Sequence, residues 1–175
     1  MWPAEVGSEA EVAALLASVR ERFGGLDVVF NHAACDRADE PHEGYTPFDE
    51  LSLDAWRRTI DGGLAGAFVV AREAFRLMRA QSPQGGRIIN AITTASSSGS
   101  AAHAAAVRAM SGLTHSVFVE GRGFRIACCQ VDCTRFDASC EPAEGAEARE
   151  VADAVSYLAG LPPTANAVVQ QLAVN

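Results

Sequence analysis

The sequence lacks the features that membrane, secreted and nucleic-acid-binding proteins need. No apolar run approaches the ~20 residues of a membrane span. The N-terminal residues Met1-Trp2-Pro3-Ala4-Glu5 have neither the basic nor the apolar region of a secretion signal. Basic residues are few, and 14 Lys and Arg against 22 Asp and Glu give a net charge of −8. That charge would repel nucleic acid and anionic lipid, so we expect neither as a partner.

Cysteine usage also excludes a class of protein. The chain has five cysteines, an odd number, and they lie in apolar contexts. This favours reduced thiols in a cytoplasmic protein over a disulfide framework. Cys128, Cys129, Cys133 and Cys140 lack the tight pairing of zinc ligands, so we expect no metal site and predict that Cys128 and Cys129 pack as small apolar residues.

Helical and strand patterns alternate along the chain. The spacing of apolar residues predicts helices capped by Ser8 and Ser52, and over Ala101–Glu120 and Glu147–Ala159. The helix after Ser52 should bury a stripe of Trp56, Ile60, Leu64, Phe68, Phe75 and Met78. Short apolar runs predict strands at Leu26–Phe30, Arg87–Ile92, Phe124–Val131 and Val168–Val174. This order indicates one α/β domain over residues 1–175, with about four parallel strands flanked by helices.

Several stretches resemble one known family. They are Arg22–Ala34, which contains Asn31-His32-Ala33-Ala34, then Leu64-Ala65-Gly66-Ala67-Phe68, Gly86-Arg87-Ile88-Ile89-Asn90, Ser111-Gly112-Leu113-Thr114, Gly123-Phe124-Arg125-Ile126 and Glu150–Val155. In this register the chain resembles the short-chain dehydrogenase/reductase family. The resemblance implies a partial Rossmann-like sheet. It also implies that the helices Leu53–Gln81 and Ala101–Glu120 are the pair with which the family builds dimers.

The resemblance also shows what is missing. The family begins with a strand, a glycine-rich turn and a helix that hold the cofactor pyrophosphate. No Gly-x-x-x-Gly-x-Gly turn occurs in this sequence. Since a βαβ unit takes ~30 residues, roughly sixty residues of cofactor-binding fold are expected to be absent. We therefore expect no NAD(P) binding by this chain alone.

The catalytic positions have changed as well. When the sequence is aligned with the family pattern at Ser111-Gly112-Leu113-Thr114, the resemblance places His103 where the family has its catalytic tyrosine. It places Val107 where the family has its lysine. Thr93 falls at the catalytic serine, and Val131-Asp132 replaces a Pro-Gly pair beside the nicotinamide. Gly63 replaces the helix asparagine of the proton relay. Together these changes predict a degenerate active site on an intact hydrophobic framework.

Three functions remain open at this point. The first is a non-catalytic subunit that associates with itself or with a catalytic short-chain dehydrogenase or ketoreductase. The second is a cofactor-independent isomerase, dehydratase or cyclase that acts on a small carbonyl substrate. His103 would be its acid/base, with Thr93 and Asp132 as further working groups. The third is oxidoreductase activity only in complex with a full-length relative. A further alternative is a remnant protein without a function of its own. Thr93 likewise has an ordinary structural interpretation, in which it ends a strand and bonds to the nearby backbone.

One physical consequence concerns the strand Leu26–Asn31. In the family order it lies between the missing first strand and Arg87–Ile92. A buried-type strand with a bare edge leaves backbone groups unsatisfied and invites pairing. We therefore expect a second copy, another protein or the N-terminal helix to cover this edge.

Overall fold

The computed structural model describes residues 4–32, 46–92, 101–133 and 146–162, and these form an α/β fold. The helices are α1 (Glu9–Phe23), α2 (Leu53–Thr59), α3 (Gly66–Ala80), α4 (Ala101–Gly121) and α5 (Ala146–Gly160). A π-helical segment, Ile60–Ala65, joins α2 to α3, and a short 3-10 turn, Arg122–Phe124, follows α4. The strands are β1 (Val28–Asn31), β2 (Gly86–Ile92) and β3 (Ile126–Asp132).

The three strands form one parallel sheet in the order β1-β2-β3. The α/β class and the parallel sheet flanked by helices are thus confirmed. The predicted strand at Val168–Val174 lies outside the described residues, as do the residues on either side of it. None of the helices in the described part of the chain is long and apolar enough to cross a membrane.

Each face of the sheet packs against different helices. On one face, here called the α3/α4 face, Ile88, Ile126 and Cys128 pack against α3 and α4, and α1 lies outside them on α3. On the other, the α5 face, Ile89 and Cys129 pack under α5. Cys128 and Cys129 are both buried, which confirms that they pack as small apolar residues.

Both predicted N-caps are present. Ser8 Oγ accepts a hydrogen bond from the backbone N–H of Glu11 at 3.4 Å, and Ser52 Oγ accepts from Ala55 N–H at 3.1 Å. The Glu11 carboxylate reaches back to the N–H of Glu5, at 2.9 Å, rather than to Ser8 itself. These bonds satisfy N–H groups that have no partner within the helix, which explains where α1 and α2 begin.

The helix after Ser52 is not continuous, and one part of its predicted stripe was wrong. The π-helical segment Ile60–Ala65 adds a residue to one turn, which shifts the phase of everything that follows. Met78 is fully buried as predicted, but Phe68 points outward and is 44% exposed. The buried face of α3 is built instead from small residues such as Ala67, Ala71 and Ala74.

Two strands begin later than the apolar runs indicate. Leu26 is held by a side chain, because Gln81 Oε1 accepts from its N–H at 2.8 Å and Gln81 Nε2 donates to its carbonyl at 3.0 Å. Before β3, Arg125 adopts a left-handed conformation with φ of 59°, which prevents extended backbone until Ile126. A contact from a distant side chain in the first case, and a left-handed backbone in the second, outweigh the β propensity of the apolar run.

Candidate active site at the carboxyl edge of the sheet

The carboxyl ends of the three parallel strands meet at one edge. β1 ends at Asn31, β2 at Ile92 and β3 at Asp132, and the N–H of Cys133 donates to the carbonyl of Ile92 at 2.7 Å. Helix α4 connects β2 to β3 and runs antiparallel to them, so its first turn lies at this same edge. Ligands of open α/β sheets bind outside the carboxyl ends of the strands.

Two of the three candidate residues share this edge. His103 lies in the first turn of α4, half-buried, with its Nδ1 atom inaccessible to solvent. Asp132 is half-buried at the end of β3. Thr93 lies outside the described residues. The structure therefore places His103 and Asp132 at the same edge of the sheet, and Val107 lies one helical turn after His103.

Below this edge, a row of amide side chains crosses all three strands. Asn31, Asn90 and Gln130 are paired in register and all are buried. Asn31 Nδ2 donates to the carbonyl of Ala67 at 3.0 Å and to Asn90 Oδ1 at 3.2 Å. Asn90 Nδ2 donates to Thr114 Oγ1 at 2.9 Å. The row ties β1 and β2 to α3 and α4, because buried polar groups are stable only when they are bonded.

Gln130 is the part of this row that the sequence reasoning missed. Its Oε1 atom is buried and accepts no hydrogen bond from the described residues. The signal was present, since Gln130 is the one polar residue among Cys128, Cys129 and Val131 in a fully buried run. A buried acceptor costs free energy when it has no donor. Packing alone therefore does not explain why the chain has a glutamine at Gln130.

The buried thiols are not nucleophiles. Burial, followed by the charge of Cys129, raises the pKa of Cys128 to about 12. Burial, followed by the charge of Asp132, raises the pKa of Cys133 to about 11. The thiolate is the reactive form, so both residues stay protonated and inert near neutral pH.

Two described side chains at this edge bear on whether a nicotinamide cofactor could bind. Val107 stands where the resemblance places the ribose-binding lysine, and its side chain has no donor to offer. The resemblance places Asp132 where the family has glycine, and its side chain brings a carboxyl group to that position. Among residues 4–32, 46–92, 101–133 and 146–162, no three His, Cys, Asp or Glu side chains group as metal ligands would.

Comparisons with known proteins identify the family. The family model for short chain dehydrogenases matches residues 1–147. The chain is 35% identical over 127 residues to a 3β-hydroxysteroid dehydrogenase of Mediterraneibacter gnavus, covering 71% of this chain and 43% of that protein. It is 30% identical over 128 residues to levodione reductase of Leifsonia aquatica, covering 70% and 45%. The chain thus spans less than half the length of either relative.

Solved structures show the same fold. An acetoin dehydrogenase from Enterobacter cloacae superposes with a TM-score of 0.60 and 27% identity, covering 74% of this chain and 51% of that one. A short chain dehydrogenase from Mycobacterium smegmatis superposes with a TM-score of 0.68 and 24% identity, covering 94% and 67%. The family match, the relatives and the parallel sheet agree, and the chain belongs to the short-chain dehydrogenase/reductase family.

Proposed function

We propose that this chain is a non-catalytic member of the family that associates with itself or with a catalytic short-chain dehydrogenase or ketoreductase. One observation carries the proposal, and it lies within α4. The framework half of this helix is intact, since Thr114 is buried and accepts a hydrogen bond from Asn90. The resemblance places His103 and Val107 of the same helix where the family has its tyrosine and its lysine, which makes the catalytic half a replaced one in this proposal. Selection for association rather than catalysis would preserve the residues that hold the fold and would allow the catalytic residues to change.

The association surface we propose is formed by α2, α3 and α4, the helices that the resemblance implies for dimers. These helices present apolar side chains to solvent, namely Leu53 on α2, Phe68 on α3 and Val119 on α4. Apolar side chains of this size at the surface are typical of interfaces when they are grouped on one structural unit. The helices also pack together, with α2 against α4 and α3 against α4.

The first test has two parts. The purified chain is titrated with NADH and NADPH by calorimetry, and we expect no heat of binding at millimolar cofactor. The tagged chain is then co-expressed with a full-length relative, and we expect a stable complex that Phe68→Glu weakens. Phe23→Glu is the matched control, because Phe23 is 66% exposed on α1, away from the proposed surface. Micromolar cofactor binding by the chain alone would refute the proposal.

The alternative is a cofactor-independent isomerase, dehydratase or cyclase. It is favoured by His103, whose Nδ1 is shielded from solvent at the same edge as Asp132. An imidazole can give and take a proton in general acid–base catalysis. This hypothesis predicts turnover of small hydroxyketones or enones without nicotinamide, and loss of turnover in His103→Ala. His115→Ala, an exposed histidine of the same helix, should leave turnover unchanged.

Oxidoreductase activity in a complex is the remaining hypothesis. The full-length relative would supply the cofactor-binding turn and both catalytic residues. It is tested with the same complex, because the rate of NADH oxidation per full-length subunit should rise when this chain is added. An unchanged rate would leave the chain as a purely structural subunit.

A further inference from the structure

Three exposed arginines surround the short 3-10 turn that follows α4. We propose that this arginine turn, defined as Arg79, Arg122 and Arg125, docks an acidic segment of a partner polypeptide, whose carboxylates pair with the guanidinium groups. The inference goes beyond the proposed function, because it adds a second surface and does not depend on which helices form the first. The arginine turn lies at the opposite end of α4 from His103.

The fold brings these arginines together at one edge of the sheet. Helices α3 and α4 run antiparallel to the strands that they connect, so the last turn of each helix lies at the amino edge. Arg79 lies in the last turn of α3, Arg122 begins the 3-10 turn after α4, and Arg125 immediately precedes β3. The three side chains are therefore neighbours although they come from different elements.

Two of the arginines stack on aromatic rings that are anchored in the core. The Cζ atom of Arg79 lies 4.4 Å from the centroid of the Phe124 ring, and that of Arg122 lies 5.8 Å from the centroid of the Phe118 ring. Both rings pack against the core of the α3/α4 face. A guanidinium that stacks on a ring keeps the N–H groups of its rim for carboxylate oxygens, and the stack lowers the conformational entropy that binding would cost.

The backbone of the third arginine is also held in place. Arg125 has a left-handed φ of 59°, which costs free energy in residues that carry a Cβ and is easier for glycine or asparagine. Its carbonyl accepts from the N–H of Gly86 at 3.2 Å, and a Cβ placed on Gly85 would lie 2.7 Å from the same oxygen. Since the Arg125 side chain is exposed, neither its backbone conformation nor packing explains why this position carries an arginine.

No described carboxylate neutralises the arginine turn. Other described arginines have close acidic partners, as Arg72 has Glu9 at 2.8 Å and Arg76 has Glu73 at 2.6 Å. The arginine turn forms no ion pair with any described Asp or Glu side chain. Its three positive charges repel one another, and they form a positive region on a chain whose net charge is −8. Carboxylates brought by a partner would remove that repulsion.

Charge and shape select the kind of partner. The net charge of −8 would repel nucleic acid and anionic membranes, because these extend well beyond one turn. Small ligands bind in cavities that enclose most of their surface, whereas all three arginines are exposed. Arginine and aromatic residues are enriched at the centres of protein–protein interfaces. A short acidic segment of another protein fits these observations, since it brings several carboxylates to one turn.

The test uses the whole chain and a capped octaglutamate peptide that carries a fluorescent label. Fluorescence anisotropy measures binding at low ionic strength, and we expect it to be saturable. Binding should weaken when the ionic strength is raised to about 0.15 M, where charges are screened over about 8 Å. A capped glycine–serine peptide of the same length is the control and should not bind.

Two triple variants assign the binding to a place on the surface. The first replaces all three arginines of the turn by glutamine, as Arg79→Gln, Arg122→Gln and Arg125→Gln. The second replaces three exposed arginines of other elements, as Arg57→Gln, Arg108→Gln and Arg149→Gln. Both have the same net charge, so a difference between them comes from position. The first should weaken octaglutamate binding by about tenfold or more, and the second by about twofold at most.

A single variant keeps the test independent of large changes to the surface. Arg122→Gln alone should weaken octaglutamate binding by about two- to threefold, because it removes one of three ion pairs. Thermal unfolding of every variant checks that it is folded.

Several outcomes would overturn the proposal. Absence of octaglutamate binding is the first, and equal losses in the two triple variants is the second, since binding would then follow net charge alone. Tripolyphosphate that binds more tightly than octaglutamate would assign the arginine turn to a small phosphorylated ligand. A dimer that becomes monomeric only in the first triple variant would assign the turn to a second copy of the chain.

Failure of this inference is distinguishable from failure of the proposed function. If a full-length relative co-purifies with the chain but octaglutamate does not bind, the arginine turn has no acidic partner and the proposed function stands. If octaglutamate binds at the turn but the chain associates neither with itself nor with a full-length relative, the proposed function fails and this inference stands.

Discussion

Strands β2 and β3 are buried along almost their whole length, whereas β1 is only partly buried. Every residue from Arg87 to Ala91 and from Ile126 to Val131 is buried, but in β1 only Asn31 is buried. The parallel ladder is the same in both regions, so hydrogen bonding within the sheet does not account for the difference. Among the described residues β1 and β3 each have one neighbouring strand, so the difference lies in the faces: α4 and α5 both pack on β3, whereas α3 packs on β1.

The comparison predicts its largest effect in the core between β2 and α3. Ile88→Ala removes a fully buried side chain from the α3/α4 face and should lower the free energy of unfolding by about 2–5 kcal/mol. Val28→Ala, on β1, should cost about 1 kcal/mol because its side chain is only partly buried. Urea unfolding of both variants measures the difference. Equal losses would mean that β1 is as enclosed as β2.

Much of this framework could be predicted from the sequence. Val28-Val29 and Ile88-Ile89 are β-branched runs of strand length, and Ser8 and Ser52 are caps whose bonds the structure contains. Such features are local, so a single sequence carries them. The outward position of Phe68 could not be predicted, because the π-helical segment that causes it depends on how α2 and α3 pack against α4.

The buried amide row predicts a smaller effect than the apolar core. Asn90→Ala removes the acceptor of Asn31 Nδ2 and the donor to Thr114 Oγ1, and Asn31 keeps its bond to the Ala67 carbonyl. We expect a loss of about 1–3 kcal/mol, because unmade buried hydrogen bonds are costly. Ser18→Ala, which removes an exposed hydroxyl bond to Ala14, is the control and should change stability by less than about 0.5 kcal/mol.

A double variant sharpens this test. Thr114→Val removes the partner of Asn90 Nδ2, so the losses from Asn90→Ala and Thr114→Val should not add. Additive losses would show that the two side chains act independently. In that case the row would not couple the sheet to α4.

The candidate site was less predictable than the framework. The resemblance gave His103 and Asp132 as candidates, and the structure shows that both lie at the carboxyl edge of the sheet, while their roles stay predictions. Gln130 was missed because its importance depends on burial and on the absence of a donor among described neighbours, and neither can be read from residue type. That His103 acts on a substrate stays a prediction until turnover is measured.

The smallest expected effect concerns Cys133, which lies on the covered α5 face at the end of β3. Burial raises the pKa of its thiol from the ordinary value of 9.0 to about 11 in the folded chain. The unfolded chain therefore ionises first as the pH rises. Below the unfolded pKa the contribution to stability is complete, and it is lost as the pH rises towards the folded pKa. Between these values the free energy of unfolding should fall by on the order of 1 kcal/mol per pH unit from this thiol.

Cys133→Ala isolates that slope from the other groups that titrate at alkaline pH. Loss of the sulfur should change the unfolding free energy of the variant by the same amount at every pH. Between pH 9 and 11, however, that free energy should decline less steeply than it does in the wild type. Cys128→Ala offers a comparison on the α3/α4 face, because the pKa of the Cys128 thiol is about 12. The difference in slope between this variant and the wild type should therefore extend to higher pH than it does for Cys133→Ala. Parallel wild-type and Cys133→Ala curves would mean that water reaches this thiol. The enclosure seen at β3 would then not extend to the carboxyl edge where His103 and Asp132 lie.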